Sequence, residues 1–140
     1  MRPVAILTAL VALLAGTGSA TSAAGTTKPA PVVTLNVNPF GAVLATPGRK
    51  ALYWWTAEKK AGYRIRCTGS CARLWPPLLV PRGTKVAAHR RGYPGRFGTI
   101  RRPDGRLQVT YNRAPLYAYV HDPVGKVLCD NVDGWFVARV

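Results

Sequence analysis

The sequence predicts an all-β protein: a single small domain of two related β-hairpin-rich repeats, preceded by a signal peptide. Aromatic residues alternate at positions i and i+2 in residues 51–56 and again in residues 115–120, which is typical of one face of a β-strand. Turn-forming Gly, Pro, Asn and Asp residues separate short apolar segments along the rest of the chain. No stretch after residue 23 keeps the helical period, so a helical fold is not expected.

The first 23 residues have the layout of a secretory signal peptide. Arg2 gives a short positive region, residues 4–15 are almost entirely apolar, and small residues follow up to Ala20 and Ala23, where cleavage is expected. The apolar run is shorter than the roughly 20 residues that a membrane-spanning helix needs. We therefore expect an exported protein, secreted or held in the periplasm or cell envelope, with no transmembrane segment in its mature form.

The chain after the signal peptide predicts a lead-in and then short elements. Residues 24–36 are rich in Thr, Pro, Ala and Val, which predicts a flexible lead-in, and the two-repeat β domain is expected to cover residues 37–140. Residues 41–46 predict a short strand, and residues 58–62 predict a polar turn after the first aromatic strand. Residues 63–67 alternate apolar with basic, which predicts a half-solvated strand.

The second part of the domain contains the clearest hairpin. Residues 97–102 and 107–111 flank residues 103–105, a Pro-Asp-Gly sequence that favours a tight turn. Before the hairpin, Trp75 is expected to pack as an anchor while the two following prolines lead the chain over the surface. Residues 135–140 predict the final strand.

One motif, with the pattern Leu-Tyr-x-aromatic-x-x-acid, occurs twice, 64 residues apart. Each copy predicts a core strand with an aromatic stripe, and the acid at its end is expected to cap a turn. We expect the two halves to meet through these aromatic side chains together with Trp75 and Trp135. The motif residues are Leu52, Tyr53, Trp55 and Glu58 in the first copy and Leu116, Tyr117, Tyr119 and Asp122 in the second.

Three cysteines predict one disulfide and one spare thiol. An exported chain meets an oxidising compartment, so pairing is the default state of its cysteines. Cys67 and Cys71 are four residues apart with Gly69 between them, close enough for a turn to bring their Cα atoms within about 7 Å. Cys129 is expected to remain unpaired, either buried or joining two chains into a dimer. No second pair of ligands at matching spacing supports a zinc site.

The charge of the chain predicts a surface that attracts anions. The net charge is +15, a field that draws phosphate-rich wall polymers, acidic membranes or nucleic acid. No nucleic-acid recognition module is present, so anionic cell-envelope polymers are the expected partners. If the hairpin pairs as predicted, the densest basic residues should gather at one end of the domain as an anion-binding surface. These residues are Arg90, Arg91, Arg96, Arg101, Arg102 and Arg106.

Catalytic and metal chemistry have little support in the sequence. Ser70 is the only serine after the signal peptide, and no nucleophile, base and orienting group can be assembled around it, so an enzyme is not expected and no cofactor is implied. One alternative stays open. His121, Asp122 and Cys129 lie close in sequence and offer ligands for a transition metal, which would make this a metal-binding or redox-associated protein.

Four motifs, given in chain order at the end of this paragraph, resemble those of the bacterial family called "secreted repeat of unknown function". The family is also described as predicted lipoproteins with a Tyr-x-aromatic-x-x-Asp motif. The resemblance covers residues 41–140 and implies an exported, double-repeat protein with no established activity. Glu58 stands where the family usually has Asp, and the signal peptide lacks the lipobox Cys of many relatives. The motifs are the first motif copy, Cys-x-x-x-Cys-Ala-x-x-Trp-Pro-Pro-Leu at residues 67–78, Asp-Gly-x-x-Gln-Val-Thr-Tyr at residues 104–111, and the second motif copy.

Overall fold

The computed structural model describes residues 25–140 together with Gly16 and Gly18, and the predicted signal peptide otherwise lies outside the described residues. This part of the chain contains nine short strands and two one-turn helices, which lie next to each other in sequence between β3 and β4. Within residues 25–140 no helix is long and apolar enough to cross a membrane. The elements are β1 Val33–Val37, β2 Gly41–Ala45, β3 Leu52–Trp55, α1 Thr56–Lys60, α2 Ser70–Leu74, β4 Leu79–Val80, β5 Phe97–Arg101, β6 Leu107–Tyr111, β7 Ala114–Pro115, β8 Tyr117–Ala118 and β9 Trp135–Val137.

The strands form three antiparallel sheets, which confirms the all-β prediction. The hairpin β1–β2 forms one sheet, β8-β3-β9 forms the second, and β4-β6-β5 forms the third, with β7 paired to β6. The predicted hairpin is β5–β6, in which Phe97 pairs with Tyr111 and Arg101 with Leu107 around a turn that places Gly105 at a φ of +83°. The helices α1 and α2 were not predicted, because each spans only five residues and shows no sequence period.

The folded part of the chain begins before residue 37, so the predicted boundary of the lead-in is wrong. Ala30, Val32 and Leu35 are buried, and β1 pairs with β2 along its whole length, from Val33 opposite Ala45 to Val37 opposite Gly41. Burial of apolar area, worth about 25 cal/mol per Å², stabilises the packed state of this segment. The abundance of Thr and Pro before it concealed the in–out alternation of β1.

The two copies of the motif lie side by side in the central sheet. Strand β3 pairs antiparallel with β8, with Tyr53 opposite Tyr117, and with β9 on its other side, with Trp55 opposite Trp135. Trp75 stacks on Trp135 with the ring centroids 3.9 Å apart and contacts Tyr53 edge-on at 5.3 Å. The expected contacts among these aromatic side chains are confirmed, although β8 covers only two residues of the second copy.

The strand predicted for residues 63–67 is absent. Gly62 and Tyr63 both have left-handed φ angles, +70° and +67°, which turn the chain away from the direction of α1. The backbone N–H groups of Arg66 and Cys67 then donate to the carboxylate of Glu58 instead of to a neighbouring strand. The alternating polarity correctly predicted which of these residues are exposed. It did not predict a strand, because the backbone N–H groups bind a side chain and not a neighbouring strand.

Candidate functional site

The motif tyrosines and acids form a buried, reciprocal pair of hydrogen bonds. Tyr53 Oη donates to Asp122 Oδ2 at 2.5 Å, and Tyr117 Oη donates to Glu58 Oε1 at 2.6 Å. The tyrosine of each copy therefore binds the acid of the other copy. This arrangement supports the proposed repeat, which stays a prediction, and it explains why each copy has both a tyrosine and an acid.

Each motif acid also holds the loop that follows it. Glu58 Oε1 accepts the N–H of Arg66 at 2.8 Å and that of Cys67 at 3.1 Å, while Asp122 Oδ1 accepts the N–H of Leu128 at 3.2 Å. Both acids are almost fully buried, with 0% and 3% of their surface exposed. The acids therefore cap loops, as predicted, and their burial keeps them from reaching a substrate in solvent.

Burial sets the protonation of this network. It raises the pKa of both phenols, Tyr53 and Tyr117, and the neighbouring acids raise these pKa values further, so both side chains stay protonated donors. Burial also raises the pKa of Asp122, against the hydrogen bond from Tyr53 that lowers it. The network thus holds the two copies of the motif together.

Arg102 belongs to the same buried network, and its predicted place on an exposed anion-binding surface is wrong. Only 3% of it is exposed, Nη1 donates to Gln108 Oε1 at 2.6 Å, and Nη2 donates to the carbonyl of Cys67 at 2.7 Å. Its Nε and Glu58 Oε2 are the two buried side-chain atoms without a partner among the described residues. Arg102 therefore ties the hairpin to the disulfide loop and supplies a fixed positive charge beneath the surface.

The other five predicted arginines do not gather at one end of the domain. Arg96 precedes β5 and Arg101 ends it, so the strand separates them by about 17 Å. Arg91 is exposed, whereas Arg90 is half-buried and donates to the carbonyls of Ala30 and Val32 at 3.0 and 2.7 Å. The register of the hairpin thus divides the basic set into two groups and turns one member toward the interior.

A basic cleft of about 350 Å³ lies between the disulfide loop and the turn of the β5–β6 hairpin; we call it the hairpin cleft. Three arginines line it, Arg73, Arg102 and Arg106. The only carboxylate in its lining is Asp104, whose Oδ2 lies 2.7 Å from Arg106 Nη2. The hydrogen bonds from Arg106 hold the pKa of Asp104 below its usual range. The full lining is Thr68, Gly69, Ala72, Arg73, Arg102, Pro103, Asp104 and Arg106.

Sequence reasoning missed two arginines near this turn. Arg73 lies on α2, which faces the hairpin turn across the cleft, and Arg102 bonds the disulfide loop that precedes this helix. Arg82 lies beside the turn, where a Cβ added to Gly105 would be 3.6 Å from its Nη2. Neither residue is near the hairpin in sequence, and no local signal could have grouped them with it.

The cysteines adopt the predicted states. Cys67 and Cys71 form a disulfide, with their Cα atoms 5.1 Å apart, and Cys129 is unpaired. Cys129 is buried, and burial raises the pKa of its thiol, so of the two predicted states of this cysteine the structure supports the buried one and gives no support to a dimer joined through it.

The alternative metal site is not formed. No group of three or more His, Cys, Asp or Glu side chains converges anywhere in residues 25–140. Asp122 uses both oxygens for Tyr53 and Leu128, and His121 is exposed and packs edge-on against Tyr119. Residues that are close in sequence here point to different partners because the chain turns at Asp122.

No family model matches this chain, and neither a curated protein nor a solved structure matches it. The resemblance to the secreted-repeat family therefore rests on the motifs alone.

Proposed function

We propose that this chain is an exported, non-enzymatic protein of the cell envelope that binds anionic envelope polymers at the hairpin cleft. The observation that carries the proposal is the convergence of Arg73, Arg102 and Arg106 on one cleft that has a single carboxylate, Asp104. Guanidinium groups form paired, directional hydrogen bonds with phosphate and carboxylate oxygens, so a cleft lined by three of them favours a polyanion.

The three arginines have different parts in this binding. Arg102 is fixed by Gln108 and Cys67, so it contributes positive potential at the base of the cleft without losing side-chain freedom on binding. Arg73 and Arg106 are exposed and supply the hydrogen bonds to the polymer. Asp104 competes with the polymer for Arg106, so its carboxylate tunes the affinity downward.

The test compares two pairs of substitutions that remove the same charge. Arg73→Gln with Arg106→Gln acts in the cleft, and Arg91→Gln with Arg96→Gln removes two exposed arginines at the far end of β5. On a teichoic-acid or heparin column, the cleft pair should elute at a clearly lower salt concentration, and its salt slope should fall by about 1.5 for two lost contacts. The control pair should shift elution less.

Equal shifts for the two pairs would mean that the overall charge of the protein governs retention, and the cleft would lose its role. A variant with the opposite expected sign sharpens the comparison. Asp104→Asn frees Arg106 and should raise the eluting salt concentration. Arg102 is left intact in every variant, because its removal would disturb the buried network.

A further inference from the structure

A second cleft, of about 340 Å³, lies on another side of the domain and shares no residue with the hairpin cleft; we call it the tyrosine cleft. Its floor is apolar and includes the buried residues Leu116 and Val137. Trp54 and Tyr63 form aromatic walls, and Lys59 and Asn112 lie at its rim. Apolar lining with a few convergent polar groups, at this volume, is typical of a small-molecule site.

The charges around the tyrosine cleft are positive. Lys59 Nζ lies 5.4 Å from the centre of the Trp54 ring, and the guanidinium of Arg113 lies 4.9 Å from that of Tyr63. Neither cation forms an ion pair within the described residues. Arg139 also lines the cleft but is bound to Asp130 at 2.8 Å, and no carboxylate belongs to the lining. The cleft therefore favours an anion over a neutral or cationic ligand.

The backbone is strained at Tyr63, which lines the cleft, and at Arg113, which stacks on Tyr63. Tyr63 has a φ of +67° and Arg113 a φ of +72°, in the left-handed region that favours glycine. They come from separate turns, one after α1 and one between β6 and β7, yet their side chains stack on each other at the cleft. Glycine would adopt both turns without strain, but it would remove the ring and the charge. Strain of this kind concentrates at binding sites.

We propose that the tyrosine cleft binds a small organic anion with a flat ring, the ring packed against Trp54 and Tyr63 and its carboxylate or phosphate beside Lys59, with Arg113 adding positive potential from its stack on Tyr63. The apolar floor and the aromatic walls select the ring, because flat π-systems stack on aromatic side chains. The two cations with no carboxylate beside them select the charge. An aromatic carboxylate and a mononucleotide share this chemistry, and the experiment distinguishes them.

The first experiment is a titration of the purified, disulfide-intact protein followed by ¹H–¹⁵N NMR. The probes are 2-naphthoate, thymidine monophosphate, the neutral analogue 2-naphthamide, and glucuronate, which carries a carboxylate on a ring that is not flat. We expect shifts at Lys59, Asn112 and the Trp54 indole, with naphthamide and glucuronate at least tenfold weaker than the better of the first two. Equal binding of naphthamide would overturn the anion preference, and equal binding of glucuronate would overturn the flat-ring preference.

The second experiment separates binding from folding. Tyr63→Gly should weaken the affinity for 2-naphthoate at least tenfold. The midpoint of thermal unfolding should stay close to that of the parent, because the glycine relieves the left-handed strain. Lys59→Gln, an exposed change that does not threaten the fold, should weaken 2-naphthoate by about three- to tenfold and leave naphthamide unchanged. The matched control is Arg49→Gly, at a φ of +63° away from the cleft, which should leave binding unchanged.

Unchanged binding in both Tyr63→Gly and Lys59→Gln, or an equal loss in Arg49→Gly, would refute the site. The hairpin cleft, proposed as the polyanion site, shares no lining residue with the tyrosine cleft. The tyrosine cleft and the proposed function at the hairpin cleft can therefore fail independently.

Discussion

The two copies of the motif use the same tyrosine–acid exchange, but the loop after the first acid is held more firmly than the loop after the second. Glu58 accepts two backbone N–H groups as well as the phenol of Tyr117, whereas Asp122 Oδ1 accepts the N–H of Leu128 alone. The fully desolvated acid has the larger set of donors. All three donors bind Glu58 Oε1, whereas Oε2 is buried without a partner, so this acid depends on one well-satisfied oxygen.

The cysteines deepen the difference between the two loops. Cys67 is joined to Cys71, and its carbonyl accepts a bond from Arg102, so the first loop is closed covalently and anchored to the hairpin. Cys129 in the second loop has no disulfide, and Val124 and Leu128 nearby are more than half exposed. Fewer buried contacts mean a lower free energy of local opening, so the second loop should open first.

The largest expected effect comes from removing the first acid. Glu58→Ala removes the acceptor of the buried phenol of Tyr117, of the buried N–H of Cys67 and of the partly buried N–H of Arg66, which should lower the free energy of unfolding by about 4 kcal/mol. Asp122→Ala should cost about 2 kcal/mol, since fewer buried donors lose their acceptor. Guanidinium denaturation of both variants measures the difference, with Glu58→Gln as the control that keeps an acceptor oxygen. Equal losses would contradict the comparison.

Removing the disulfide should reduce the difference between the two loops in their free energy of local opening. Changing Cys67 and Cys71 to Ala removes a cross-link that closes a five-residue loop, and loop entropy predicts a loss of about 2 kcal/mol. Hydrogen exchange at residues 64–71 should then approach that at residues 124–130. Cys129→Ala serves as the control and should leave exchange at residues 64–71 unchanged. A first loop that stays equally protected without its disulfide would show that Arg102 and Glu58 suffice.

Substitutions of the two tyrosines test the feature that the two copies share, the hydrogen bond from each phenol to the acid of the other copy. Tyr53→Phe and Tyr117→Phe each remove one phenol donor to a carboxylate, so each should cost about 1.5 to 2 kcal/mol. Similar values would show that the copies differ through their backbone donors and not through the exchanged phenols. Double-mutant cycles of Tyr117 with Glu58 and of Tyr53 with Asp122 isolate the two pairs. A coupling below about 0.5 kcal/mol in either cycle would argue against the exchange as a stabilising contact.

The smallest expected effect is a pH dependence of the free energy of unfolding that comes from Asp122 in the second copy. Burial raises the pKa of Asp122, so the folded chain keeps this proton at a pH where the unfolded chain has lost it. The free energy of unfolding therefore falls as pH rises above about 3.9, the pKa of an unperturbed aspartate, toward the raised pKa of the folded carboxyl. Asp122→Asn should remove this fall. Denaturation midpoints of parent and variant across pH 3 to 7 check it, and parallel curves would contradict it.

Local patterns predicted the parts of this molecule whose partners are local. The β5–β6 hairpin, the short disulfide and the two aromatic strands follow from turn residues and alternation. The absent strand at residues 63–67 and the burial of Arg102 could not be predicted in this way, because their partners are Glu58, Gln108 and the carbonyl of Cys67. Charge alone predicted a solvated surface for Arg102, and only tertiary acceptors reverse that expectation.

The two clefts could not be predicted from the sequence for a related reason. Each is lined by segments far apart in the chain, such as α2 with the hairpin turn, or the end of α1 with β9. Alternation and turn residues place a side chain on one face of its own element, but they do not say which other element faces it. The arginine-rich stretch therefore predicted the attraction of anions but not the place where the charges converge.

The exchange of phenols between the copies also has a consequence for how quickly the chain folds. The bond from Tyr53 to Asp122 joins residues 69 apart, and the bond from Tyr117 to Glu58 joins residues 59 apart. Each can form only after about half of the domain has been brought back on itself, which costs chain entropy before any contact repays it. Domains dominated by such distant contacts fold in milliseconds to seconds. Each acid accepts backbone N–H groups from its own loop, but its phenol donor comes from the other copy. The two halves should therefore acquire their complete native structure in one late, concerted step.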